Sequence, residues 1–275
     1  MTILSDVDIR REIGGNILIY PFREGYLKGA SYNLSASKLA WDLATKTNIY
    51  SDQEKAVIIP PNSTAVIETH ETIWVSQKIA GTYHSRVSQV SHGTGHIGTT
   101  LDPNYIGPSL IAVHNHSKES VKIPLEDEPF LTLTFHYLHT PSRKEQHGNS
   151  HARRDVLATL GITLTQEENR TLDEPYMSDK EALKMRMEEC QGYKKIKQNR
   201  ASVNQKSWFN KLSWSTFVAT LIVIFAQIIL SVNDTKFEQK SWYEPATVAT
   251  GKFIELLAVV WVVLGTDYVI NKSRQ

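Results

Sequence analysis

One cysteine, Cys190, stands in 275 residues, which excludes a disulfide framework and a cysteine-built metal site. Charge of one sign is not in excess either: 30 Lys and Arg meet 29 Asp and Glu, and this balance argues neither for nor against a nucleic-acid partner. The start, Met1-Thr2-Ile3-Leu4-Ser5-Asp6, lacks the apolar core of a secretory signal, and the first domain is expected in the cytosol. Ten histidines are present, but His92 and His96 lie in a glycine-rich stretch and His114 and His116 have no acidic or cysteine neighbour at ligand spacing. A resident metal is therefore not expected.

What is present changes character near residue 212. The mean hydropathy of −0.30 averages a polar body with an apolar tail. Residues 214–232 carry no charge and are long enough to cross a hydrocarbon core of about 30 Å as a helix. Residues 246–270 are apolar except for Lys252, Glu255 and Asp267. Together they predict a two-helix transmembrane hairpin. Lys194, Lys195, Lys197, Arg200, Lys206 and Lys211 before it, and Lys272 and Arg274 after it, put both termini on the cytoplasmic side of a bacterial inner membrane. Gln227, Lys252, Glu255 and Asp267 are the pore-lining candidates, with snorkelling at a bilayer boundary the alternative for Lys252 and Asp267.

The first half reads as mainly β. Ser5, Asp8 and the Leu4–Ile9 pair predict a capped helix ended by Gly14-Gly15. Short apolar or alternating runs follow at 17–20, 56–59, 64–68, 72–75, 121–123 and 130–138, punctuated by Pro and Gly. Asp102-Pro103-Asn104 has the chemistry of a tight turn and predicts a hairpin between strands at 97–101 and 109–116. A second capped helix is expected from Ser178, with Leu183, Met187 and Cys190 on one face, either lying on the β domain or forming a stalk.

Several of these residues, taken together, resemble the dUTPase and dCTP deaminase superfamily. Ser85-Arg86-Val87-Ser88 stands where that superfamily carries Gly-Arg-Ser-Ser, and Leu101-Asp102-Pro103-Asn104-Tyr105-Ile106-Gly107 matches Ile-Asp-Pro-Gly-Trp-x-Gly, with Asn115 closing the next strand. Residues 3–11 and 30–34 look like the deaminase branch. The resemblance implies a distorted jelly-roll barrel that forms trimers with sites at subunit contacts. It places ligand-binding groups at Ser85, Arg86, Ser88, Thr99, Thr100, Asp102 and Tyr105, with ion pairing for Arg86, turn capping for Asp102 and packing for Tyr105 as the structural alternatives; His114, on the face of Ala112, is a further candidate for a ligand contact or a core position. The glutamate that deaminases use to carry protons falls on Ala112, which has none to carry.

The resulting expectation is a domain without catalysis at 1–140, a helical linker at 141–211 and the membrane hairpin at 212–275. In that reading a nucleotide or short oligonucleotide, supplied by a nucleotide-synthesising partner enzyme, gates a pore formed in membrane lipid by a homo-oligomer, trimer or tetramer, in antiphage defence. The alternative is a membrane-tethered nucleotide pyrophosphatase. Magnesium enters only with a bound nucleotide triphosphate.

Overall fold

A computed structural model of the protein describes residues 2–95, 98–125, 128–143, 151–201 and 221. The strands are β1 (Thr2–Ile3), β2 (Ile17–Tyr20), β3 (Leu27–Lys28), β4 (Ser31–Leu34), β5 (Ala36–Asp42), β6 (Tyr50–Ser51), β7 (Ala56–Ile59), β8 (Thr64–Val75), β9 (Ile79–Ser85), β10 (Thr94–Gly95), β11 (Thr100–Leu101), β12 (Ile106–Asn115), β13 (Val121–Pro124) and β14 (Leu131–Tyr137). The helices with assigned bounds are α1 (Asp6–Glu12), α2 (Val87–Ser91), α3 (Arg154–Thr159), α4 (Gln166–Leu172) and α5 (Lys180–Glu189). The fold of the first half is mainly β, as its alternating runs predict.

Local chemistry fixes the helix starts. Ser5 accepts the amide of Asp8 and Asp8 accepts the amide of Ser5, a reciprocal cap that satisfies two orphan donors of α1. Leu4 and Ile9 are both fully buried in the main core. For α5 the capping side chain is Asp179, one residue later than expected from Ser178, and it accepts the amide of Ala182 at 2.7 Å. Leu183 and Met187 then enter the main core, so α5 lies on the β domain.

The strands form three sheets. One runs β11-β9-β14-β4-β3 with β1 on β14, one runs β10-β12-β8-β2 with β5 on β8, and the third is β13-β7-β6. The runs at 64–68 and 72–75 are one twelve-residue strand, β8, and this places Glu68 in mid-strand rather than at an end. The Asp102 turn is present, with the Tyr105 amide bonded to the Asp102 carbonyl at 3.2 Å and Asn104 left-handed at φ 64°. It is not a hairpin, however. β11 pairs with β9 and β12 pairs with β8 and β10, so the turn passes the chain from one sheet to another. Turn chemistry is local, whereas the choice of partner is made by which strands bury their faces together.

A second cluster closes over the outer face of β5 and β8. Leu39, Trp41 and Val66 pack there against Ala152, Leu157, Ile162, Leu172 and Met177 from α3, α4 and the turns beside them. The chain divides into two compact units, residues 1–197 and 198–275. Among the described residues no helix is long and apolar enough to cross a membrane. Apart from Leu221, the expected spans at 214–232 and 246–270, with Gln227, Lys252, Glu255 and Asp267, lie outside the described residues.

Candidate functional site

The residues singled out above fall into two groups. Arg86 is the residue before the first turn of α2, directly after β9, and its guanidinium donates from Nη1 to the carbonyl of Pro129. Ser85 lines a small pocket under α2 together with Gln89, Thr94, Gly95 and Phe130. Ser88 is exposed, and its carbonyl accepts from Ser91 Oγ at 2.9 Å and from His92 Nδ1 at 2.6 Å. His114 lies opposite Gly95 on β12, shares a 2.8 Å hydrogen bond with Thr64 Oγ1 and stacks on His116 with ring centroids 5.8 Å apart.

The second group gathers at the Asp102 turn. The Thr99 carbonyl accepts the Tyr83 amide at 3.0 Å, and Thr100 pairs with Thr82. Asp102 is exposed, with the Thr100 hydroxyl 3.5 Å from its Oδ1. Tyr105 is buried and donates its hydroxyl to the Pro108 carbonyl. Leu101 is opposite Gly81 on β9, and Arg86 lies five residues further along, so the groups are roughly 17 Å apart at strand spacing. One chain does not bring Arg86 and Asp102 into a single pocket.

A buried polar network that the sequence reading missed runs behind the turn. The hydroxyls of Tyr83 and Ser109 are 2.5 Å apart, and the Ser109 amide donates to Thr69 Oγ1 at 2.9 Å. Burial raises the Tyr83 phenol, and the Asp102 charge raises it further against the hydrogen bond from Ser109. Tyr105 is pushed up by burial, then by Tyr83 and Glu68. Glu68 has no exposed surface, and neither carboxyl oxygen has a hydrogen-bond partner. Burial holds its pKa well above the carboxylate range, opposed only by the Arg153 charge. The neighbouring Glu71 is raised to about 7, by burial first, although it accepts the Ser35 amide at 2.8 Å. The signal in the sequence was an acid at an inward position of an apolar alternating run. Among the described residues no group of three or more His, Cys, Asp or Glu side chains could hold a metal ion.

Comparison with known proteins covers the same half of the chain. The family model described as dCTP deaminase-like matches residues 3–127. The dCTP deaminase of Thermococcus sibiricus is 32% identical over 146 residues, which are 53% of this chain and 89% of that protein. The dCTP deaminase of Pyrococcus abyssi is 30% identical over 155 residues, 56% of this chain and 96% of that protein. Among solved structures, the 2'-deoxycytidine 5'-triphosphate deaminase of Agrobacterium tumefaciens aligns with a TM-score of 0.41 and 11% identity, over 50% of this chain and 48% of that one.

These findings correct three expectations. The relatives carry the name of an enzyme, which overturns the expectation of a domain without catalysis. The same relatives overturn the pore-gating antiphage effector and its pyrophosphatase alternative, since they are named for deamination; among the described residues no membrane-crossing helix is found. The inner-membrane location falls on the same two findings. Alanine at position 112 does not by itself remove catalysis, because a missing group at one point of a strand does not show that no other group serves.

Proposed function

Because the chain belongs to the dCTP deaminase-like family, we propose that its first 140 residues bind a deoxycytidine nucleotide and remove the amino group of the cytosine ring by hydrolysis. The observation that carries this reading is shared sequence with a named deaminase over most of that enzyme's length. Arg86 offers a planar, permanently charged fork to a phosphate, with Ser85 and Ser88 next to it in sequence and His114 on β12 as further hydrogen-bonding groups. Thr99, Thr100, Asp102 and Tyr105 form the second half of the site at the far end of β9. A homo-oligomer in which one copy's Arg86 faces the Asp102 turn of the next supplies both halves to one nucleotide.

Calorimetric titration of the full chain with dCTP, beside an assay of ammonia release, tests the reading. Binding is expected, and Arg86→Ala should weaken it by about tenfold or more, since a charge-assisted phosphate contact is lost. No heat of binding, and no shift in melting temperature at millimolar dCTP, would overturn it.

A further inference from the structure

Hydrolytic deamination needs a group that gives and takes protons at the ring, and we infer that in this chain the group is Glu68. The inference rests on the function proposed above and adds the proton carrier to it. Four carboxyls are buried among the described residues: Asp42, Glu68, Glu71 and Glu168. Three are committed. Asp42 accepts from Ser63 and Thr45, Glu168 from Trp41, Asn48 and Thr165, and Glu71 from the Ser35 amide. Glu68 accepts from nothing. A carboxyl buried without a partner costs stability that an apolar side chain at the same point would not, so packing does not account for it. A chemical role does.

Its placement suits that role. Glu68 is opposite Leu110 and Val66 is opposite Ala112, so Glu68 and Ala112 share one face of the β8–β12 pair as diagonal neighbours, about 7 Å apart. Ala112 is small and exposed, while Val66 opposite it packs under the second cluster. Tyr105, at the end of the Asp102 turn, is the phenol whose titration the Glu68 charge opposes, which sets Glu68 behind the second group of ligand residues. The turn at His151–Arg153 covers this region. Ala152 packs over Gly107 at the start of β12, and Ala152 and Arg153 are both left-handed, at φ 57° and 47°. Displacing that turn, whose backbone sits in sparsely populated conformations, admits the ring.

The proton count closes on one residue and one water. Burial favours the protonated form of Glu68. It gives its proton to the ring nitrogen N3, and the resulting carboxylate, faced by the Arg153 charge, takes a proton from water as the oxygen bonds to C4. That proton passes to the amino group, the C4–N bond breaks and ammonia leaves. The proton of the new C4 hydroxyl returns to Glu68 as C4=O forms, leaving uracil and a carboxyl ready for the next turn.

The experiment follows ammonia release and dCTP-induced thermal shift in parallel on the full chain. Glu68→Gln preserves shape, and should keep the shift while losing about a hundredfold or more in ammonia release. Adding Ala112→Glu to Glu68→Gln sets a carboxylate on the same face and should restore release. Release by Glu68→Gln at the wild-type rate overturns the inference while the proposed function stands. A wild-type protein that binds dCTP and frees no ammonia overturns the deamination reading, and the inference with it. A wild-type protein that shows no shift with dCTP overturns the nucleotide reading itself.

Discussion

The indole N–H of Trp41 donates to the Glu168 carboxylate at 3.0 Å, joining β5 to α4 across 127 residues of sequence. The same carboxylate accepts from Asn48 Nδ2 at 2.7 Å and from the Thr165 amide at 2.8 Å. Burial would raise its pKa, but these donors outweigh burial and hold it below the ordinary value of 4.5. Glu168→Ala strands the buried indole donor and removes half of the α4 capping box, and is expected to cost about 2–4 kcal/mol. Urea unfolding measures that cost. With its folded pKa depressed, Glu168 stabilises the fold above its unfolded pKa, and the contribution vanishes as pH falls through the folded value. The gap between wild type and Glu168→Ala should therefore narrow below about pH 4.5.

Glu71 gives the opposite pH dependence. Its pKa is raised to about 7 from an ordinary 4.5, chiefly by burial, so the folded protein holds a proton there that the unfolded chain has released. Stability from this residue is present below about pH 4.5 and is lost as pH rises toward 7, a fall of about 3 kcal/mol. Glu71→Gln cannot ionise and keeps an oxygen for the Ser35 amide. Its urea midpoint is expected to exceed that of wild type at pH 8 and to lose part of the slope between pH 5 and 7. A wild-type slope retained in the variant would refute this assignment.

What the sequence made legible was local. The Ser5–Asp8 cap and the Asp102-Pro103-Asn104 turn are written in neighbouring residues, and both are found, although the turn links two sheets and not the two arms of the expected hairpin. Which strands meet was not legible, because β11 finds β9 and β12 finds β8 through faces that only the assembled core defines. α3 and α4 escaped for a related reason. They are six and seven residues long, and Leu157, Ile162, Leu172 and Met177 make no helical stripe until Trp41 and Val66 supply the surface they cover. At the candidate site, motif residues were legible singly, but their separation along β9 was not.

Met187 carries an unusual hydrogen bond that can be tested directly. β2 is the last strand of its sheet path, and an unpaired edge leaves amides that need cover. Two sulfurs supply it: the Ile19 amide donates to Met187 Sδ and the Phe22 amide to Cys190 Sγ, each at 3.4 Å. Met187→Leu conserves volume but removes an acceptor from a fully buried amide, and should cost about 1–2 kcal/mol. Hydrogen exchange at Ile19 is expected to quicken more than at neighbouring β2 amides. A uniform change along β2 would show a packing effect instead.

The final prediction concerns how the last described helical turns are held to the β domain. Gly14 follows α1 with φ +86°, a conformation that costs any L side chain energy. The space is also taken: a β-carbon there would stand 2.1 Å from the Tyr193 hydroxyl and 2.9 Å from its Cζ. Tyr193 is 5% exposed and belongs, with Ile196, to the main core, so the ring cannot move aside without giving up that burial. Gly14→Ala must therefore either strain α1 and β2 or expel the ring. Expulsion is the cheaper course, since a segment at the boundary of a compact unit gives way before a core strand does. A loss of about 2–3 kcal/mol is expected, together with faster exchange at residues 191–197 while the β8 and β12 amides stay protected. Exchange that instead quickens first in β2 would show that the tyrosine is the fixed partner and the α1–β2 turn the yielding one.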